Sequence, residues 1–346
     1  MKALETDGQA ATAATGEAPL VGLDQVRKAA DTLAGVAIHT PLVPFGPPEH
    51  RRFLKAESLQ PIGAFKIRGA YVAVASLTAE ERARGVITYS SGNHAQGVAR
   101  AARLLGAPAV VVMPSDAPDI KRARVAADGA EIVVVGTASD ERQAVAERIA
   151  AERGLAIIPP FDDDRVIAGQ GTVGLEVAEA LPDVAAVLVP IGGGGLASGV
   201  AVAVRALVPD ARVIGVEPEL SADARESLAA GRIVTWSADD VSRTIADGTR
   251  TRALGRRTFA HVLRVLDSIV TVSEAEIAAG VRLAAQESRL VVEPSGALSV
   301  AALAFHAGEI GLDALGGRPV VAVVSGGNVD PERYLEYLRA PVPLRA

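Results

Sequence analysis

Short runs of β-branched residues alternate with longer Ala-rich stretches from about residue 50 onward, and this alternation constrains the fold more than any other feature of the chain. The runs Phe53–Glu57, Val86–Ser90, Ala109–Met113, Glu131–Val135, Ala156–Pro159, Val187–Ile191, Arg212–Glu217 and Val320–Ser325 have strand length. Between them, His94–Leu105, Ser139–Arg153, Val166–Ala180 and Leu196–Leu207 place apolar residues at helical spacing. Strand and helix taking turns predicts an α/β protein whose mostly parallel sheets are covered by helices. At 346 residues the chain is long enough for two such domains. Hydrophobic residues make up 49% of it but aromatics only 3%, so the core must be packed closely from Ala, Val, Leu and Ile.

The same sequence excludes several functions. A net charge of -6 argues against a general nucleic-acid binder, which needs a basic surface to displace counterions. With no cysteine there is no disulfide, thiolate metal site or thiol nucleophile. No apolar stretch reaches the roughly 18 residues of a membrane span. Residues 1–20 lack the basic start and apolar run of a signal peptide and read as an extended or disordered tail. A cytoplasmic protein is expected.

Ligands of open α/β sheets sit beyond the carboxyl ends of the strands. Small residues follow three of the predicted strands at once: Ser91-Gly92-Asn93-His94, Gly192-Gly193-Gly194-Gly195 and Ser325-Gly326-Gly327-Asn328. Together they suggest one cavity lined by backbone amides. The four glycines let the backbone approach an anion, and the helix opening at Leu196 offers free N–H groups to a phosphate. A dinucleotide would fit the same segment. Gly192, Gly194 and Ala197 satisfy a relaxed G-x-G-x-x-A spacing, and Glu217 stands about where a ribose-binding acid would. An NAD-dependent oxidoreductase and a phosphate-anchored cofactor both remain open on this loop alone.

A lysine narrows the choice. In Glu57-Ser58-Leu59-Gln60-Pro61-Ile62-Gly63-Ala64-Phe65-Lys66-Ile67-Arg68-Gly69-Ala70, a strand passes through Pro and Gly into a helix opening near Lys66. Apolar neighbours Phe65 and Ile67 suit a pocket, and desolvation there would lower the amine's pKa toward a nucleophile's.

This segment, with Ser90-Ser91-Gly92-Asn93-His94-Ala95-Gln96-Gly97, the four glycines, Glu293-Pro294-Ser295-Gly296-Ala297 and Ser325-Gly326-Gly327-Asn328, resembles the serine/threonine dehydratase and serine racemase family. The resemblance runs from about Leu20 to the C-terminus, with the motifs in the family's order. It implies the fold-type II, tryptophan synthase β-like class of pyridoxal 5′-phosphate enzymes, with the cofactor in a cleft between two α/β domains. It places the cofactor's covalent attachment and the Cα proton exchange on Lys66. The amides of Gly192, Gly193, Gly194, Gly195 and Leu196 would hold the cofactor phosphate, and Asn93 its ring hydroxyl. Phe65 would lie against the ring and Ser325 would meet its nitrogen. Ser90, Ser91, Gly92 and Asn93, with His94 packed beside them, would bind the substrate carboxylate. Ser91 stands where serine racemases keep an acid/base opposite the lysine, although a helix-capping role suits it equally.

The resemblance also implies a divalent cation, Mg²⁺ or else Ca²⁺ or Mn²⁺, on Glu217, Asp223 and the carbonyl of Ser221. Asp162-Asp163-Asp164 precedes a helix and reads as capping rather than metal binding. Arg142 lies near the place of an arginine that can engage a second substrate carboxylate. The implied reaction is removal of water and ammonia from a small 3-hydroxy amino acid. L-Threonine or L-serine comes first, with 3-hydroxyaspartate dehydratase and serine racemase as alternatives. A homodimer is implied, as are a larger domain of residues 20–80 plus 163–346 and a smaller one of 81–162 that closes on substrate. The chain ends soon after Asn328, so the regulatory domain of biosynthetic threonine dehydratases is not expected.

Overall fold

The computed structural model describes residues 19–90, 92–115, 117, 119–136 and 139–344. The expected tail lies outside them up to residue 18, and so does Ser91. Two sheets form. The larger has strands β1 (Leu42–Pro44), β2 (Arg52–Ala56), β7 (Ala186–Pro190), β8 (Arg212–Pro218), β9 (Ser268–Val272) and β10 (Val320–Val324), in the order β1-β2-β10-β7-β8-β9. Only β1 runs antiparallel. The smaller holds β3 (Val86–Thr88), β4 (Ala109–Pro114), β5 (Glu131–Val135) and β6 (Ala156–Ile157), all parallel, in the order β5-β4-β3-β6.

The predicted strands are found with small changes of boundary. Val86–Ser90 and Ala156–Pro159 are shorter as strands, because Val86–Thr88 and Ala156–Ile157 are all that pair with neighbours. Beyond them the chain turns into loops. Strands β1 and β9 were not anticipated. The first is an edge segment of three residues, and the second lies in Ser268–Val272, where Ser and Thr interrupt the apolar run.

Strands β7 and β10 are buried along their whole length, as parallel strands covered on both faces must be. One covering layer pairs the helices Asp164–Ala180 and Gly195–Leu207. Their backbones nearly touch: a Cβ on Gly199 would stand 2.3 Å from the Ile167 carbonyl, and one on Gly174 2.5 Å from that of Val200. Chains of Ala, Val and Gly permit this approach, which explains how a core with few aromatics reaches native density. On the other face, the wholly buried helix Pro294–Phe305 packs on the sheet.

Strands β2, β10, β7 and β8 are neighbours and parallel, so their carboxyl ends share one edge. From that edge leave the loop to Lys66, the Ser325–Asn328 loop, the four glycines and the Ser221–Asp223 loop.

Candidate active site

Lys66 is the first residue of its helix, Lys66–Ala75. The turn before it requires Gly63, which adopts φ +72° and carries the Asn328 side chain directly on its Cα. A Cβ there would lie 2.4 Å from Asn328 Oδ1. The Lys66 amine donates to the Pro160 carbonyl at 2.7 Å and lies 5.1 Å from the centre of the Phe65 ring. Burial lowers its pKa to about 8. An amine so placed is partly unprotonated near neutral pH and can act as a nucleophile or base.

The residue after Pro160 reaches the glycine loop. A Cβ on Gly193 would meet the Phe161 ring at 2.2 Å, and one on Gly195 would meet Phe161 Cβ at 3.1 Å. Gly194 has φ +89° and precedes the Gly195–Leu207 helix, whose first N–H groups lack intrahelical acceptors. Gly192 packs on the backbone of Thr249. The loop therefore forms a bare-backbone cradle at a helix N-terminus, which suits a phosphate.

Ser325 is brought to the lysine by the backbone: the Phe65 N–H donates to its carbonyl at 3.0 Å, and Ala64 bridges Gly326. Its hydroxyl is buried and donates to the Ser295 carbonyl at 3.4 Å. Asn93 opens the helix Asn93–Leu105 and donates through Nδ2 to Glu293 Oε1 at 2.7 Å. It accepts through Oδ1 from Asn328 Nδ2 at 2.9 Å. Burial, and then Asp247 nearby, raises the Glu293 pKa to about 8. The expected motifs Phe65-Lys66, Asn93, the glycines and Ser325 are thus linked through Pro160, Phe161 and Asn328 at the carboxyl edge of the larger sheet. Ser90 and Gly92 follow β3 at its rim, where the Gly92 N–H donates to Ser90 Oγ at 3.3 Å.

His94 is buried, with Nε2 3.0 Å from the Ile158 carbonyl. Burial, and then the Lys66 charge, push its pKa down to about 3, so it is neutral and packs rather than titrates. Arg142 is half-buried on the helix Ser139–Arg153.

Glu217 and Asp223 are both buried beside Ser221. Glu217 accepts from the amides of Ala224 at 3.0 Å and Arg225 at 2.8 Å. Neither carboxylate oxygen of Asp223 meets a donor from another residue. Burial raises both carboxyls, Glu217 well above its ordinary value and Asp223 to about 7. Among the described residues no group of three His, Asp or Glu side chains gathers around one point. An orphaned buried carboxylate with a second one and a carbonyl at hand is nevertheless a donor set of the hard-oxygen kind that Mg²⁺ or Ca²⁺ takes. Of the acids at 162–164, Asp163 caps the helix that follows, as expected, while Asp162 caps the distant helix Arg256–Val265 and Asp164, in the first turn, pairs with Arg257. Asp163 accepts from the Arg165 and Val166 amides, and Asp162 from those of Arg256, Arg257 and Thr258.

A buried ion cluster behind the lysine went unnoticed in the sequence. Arg68 binds Glu57 at 2.8 Å and Glu176 at 2.6 Å, and Lys55 pairs with Glu176 and donates to the Thr40 carbonyl at 2.6 Å. Burial opposes the charge on Glu57, but Arg68 outweighs it and holds the carboxyl below its ordinary value. Pro160, Phe161 and Glu293 also belong to this neighbourhood; the sequence signal for the first two is their position just after β6, and for Glu293 the Glu293-Pro294-Ser295-Gly296-Ala297 motif.

A buried lysine of lowered pKa, a glycine loop at a helix N-terminus and a buried serine hydroxyl, set at the carboxyl edge of this sheet, suit a fold-type II pyridoxal-phosphate enzyme. The comparisons with known proteins agree: residues 34–326 match the family model for pyridoxal-phosphate dependent enzymes, and the chain belongs to that family. It is 44% identical to the L-threo-3-hydroxyaspartate ammonia-lyase of Saccharomyces cerevisiae, over 82% of this chain and 84% of that one. It is also 44% identical to the L-threonine ammonia-lyase of Thermotoga maritima, over 80% of this chain and 67% of that one. The structure of maize serine racemase superposes with a TM-score of 0.84 at 35% identity, covering 92% of this chain and 97% of that one. The dinucleotide reading of the glycine loop falls with this membership, and Glu217 is occupied by two backbone amides rather than facing a ribose. No helix among the described residues is long and apolar enough to cross a membrane.

Proposed function

We propose that the chain removes water and ammonia from a small L-3-hydroxy amino acid, with L-threonine and L-serine as its first substrates. The observation that carries this reading is the buried Lys66 amine, tuned to about pH 8 and set beside the glycine cradle. The residues present fit pyridoxal phosphate: Lys66 would hold its aldehyde, Gly192–Gly195 with the Leu196 amide its phosphate, Asn93 its hydroxyl, and Phe65 and Ser325 its ring. When bound, the cofactor supplies an electron sink that makes the substrate Cα proton acidic.

Lys66 Nζ would take that proton. The β-hydroxyl would leave as water with the proton handed back by Lys66, and the enamine set free would hydrolyse to a 2-oxo acid and ammonia. Ser90 and the amides around Gly92 hold the substrate carboxylate. Ser325 offers the ring nitrogen a neutral hydroxyl rather than a carboxylate, which favours quick elimination over storing negative charge. Ser91 is the candidate for protonation from the opposite face.

Glu217, Asp223 and the Ser221 carbonyl fit Mg²⁺, or Ca²⁺ or Mn²⁺. The same reading includes a cytoplasmic homodimer and a body of residues 81–162 closing on one of 20–80 plus 163–346. Each sheet draws its strands from one of those two bodies, which supports the division. Identity with the yeast enzyme supports a second substrate, 3-hydroxyaspartate, whose extra carboxylate Arg142 would meet.

The test is a panel of serine, threonine and 3-hydroxyaspartate stereoisomers given to the cofactor-loaded enzyme, scoring oxo acid and enantiomer. Oxo acid from L-threonine and L-serine is expected. Inversion without oxo acid, or no turnover of any of them, overturns the reading.

A further inference from the structure

Among the described residues, one arginine reaches the Asn328 amide from the smaller sheet's side. Arg124 lies on the helix Asp119–Ala127, which follows β4, and is half-buried. Its hydrogen bond among the described residues runs from Nη1 to Asn328 Oδ1 at 2.5 Å. Neighbouring Lys121 differs, since it pairs with Asp247 at 2.7 Å.

The partners of Asn328 fix the direction of its amide. A guanidinium only donates and a backbone carbonyl only accepts. Oδ1 must therefore face Arg124, and Nδ2 must face the Ile62 carbonyl, 2.8 Å away. The second proton on Nδ2 goes to Asn93 Oδ1 at 2.9 Å, which leaves Asn93 Nδ2 to donate to Glu293 at 2.7 Å. Every bond points the same way, from Arg124 through Asn328 and Asn93 to Glu293. The Asn328 amide also rests on Gly63, where no Cβ would fit. Its room is defined on one side by the turn to Lys66 and on the other by Arg124.

We propose that Arg124 is a positioning residue, which couples the approach of the Asp119–Ala127 helix to the orientation of Asn93 through the Asn328 amide. With Arg124 in place, Asn328 is held at both ends and Asn93 keeps one face toward the reaction centre. Without it, the amide can pivot about its bond to Ile62, and Asn93 loses a fixed donor. A charge-assisted bond at the head of such a relay also polarises the bonds behind it. The inference rests on the proposed placing of Asn93 beside the cofactor.

The experiment compares Arg124→Met, Arg124→Lys, Asn328→Ala and the double variant Arg124→Met/Asn328→Ala as cofactor-loaded enzymes. Loss of one charge-assisted hydrogen bond should lower kcat about tenfold in Arg124→Met. The visible band of the bound cofactor should also move, and its dissociation constant should rise. Arg124→Lys, which keeps a charged donor, should recover most of the band position. The double variant should be no slower than Asn328→Ala, because both changes break one relay. A lower Tm with unchanged band and kcat in Arg124→Met would show a merely structural contact and overturn the inference. Additive losses in the double variant would overturn it too, since Arg124 would then act by another route. Failure of the underlying reading looks different: wild-type protein that forms no visible band with pyridoxal phosphate, or a band that survives Lys66→Ala, removes the cofactor site itself.

Discussion

The amine of Lys66 donates to the carbonyl of Pro160 across 94 residues of sequence, at 2.7 Å. The next residue, Phe161, lies on the glycine loop, so two consecutive residues join Lys66 to that loop. The spacing of Lys66 and the four glycines is thus tied to one short stretch after β6.

The buried amine makes the stability of the cofactor-free protein depend on pH in a definite sense. Folded Lys66 loses its proton at about pH 8, whereas an unfolded lysine keeps it to about 10.5. Between those values the unfolded state binds more protons, so unfolding free energy rises with pH; the cost of burial is fully present below pH 8. Lys66→Met should be more stable than wild type below pH 8, with the difference shrinking toward pH 10.5. Urea unfolding at pH 7, 9 and 10.5 measures this. A difference constant across the range would mean that the amine titrates as in the unfolded chain.

Turnover and covalent labelling should depend on the same residue. Borohydride reduction of the loaded enzyme should attach the cofactor at Lys66, read by peptide mass spectrometry. Lys66→Ala should lose both the label and measurable oxo acid formation.

Gly193→Ala tests the cradle. The added methyl would sit 2.2 Å from the Phe161 ring, and overpacking of this kind forces neighbouring groups aside. Circular dichroism should remain native, while equilibrium dialysis should show at least a roughly tenfold weaker grip on pyridoxal phosphate. Wild-type affinity would place the phosphate elsewhere.

The ion cluster behind the lysine should matter through folding. Glu57 accepts from both Arg68 and Thr40 in a fully buried setting. Glu57→Gln leaves Arg68 with one carboxylate fewer, and breaking a buried pair costs on the order of 3–5 kcal/mol. Denaturant titration of the loaded enzyme should show that loss. A change below about 1 kcal/mol would place the pair among weak surface contacts.

The orphaned Asp223 carboxylate predicts a cation response. Mg²⁺ at a hundred times its dissociation constant should stabilise the protein by about 2.7 kcal/mol, seen as a rise in Tm. Asp223→Asn should abolish that rise, and equal responses in the two proteins would remove the metal assignment.

The sequence by itself determined the sheet class and most of the order of the elements, and it singled out Lys66 as the candidate for the proposed chemistry. Strand and helix periods are local properties, and glycines at strand ends announce backbone that something must approach. It also marked Asp163 as a cap, because that cap is satisfied by the neighbouring Arg165 and Val166 amides. Only the tertiary structure decided the partnerships across the cleft. Pro160 with Lys66, Arg68 with Glu176, and Arg124 on Asn328 join residues more than 90 apart, and Phe161 on Gly193 joins two that lie on different sheets' loops. Such pairs leave no periodic trace in the chain. They exist because strands β2, β10 and β7, far apart in sequence, end side by side, and segments after β4 and β6 of the smaller sheet reach the same loops.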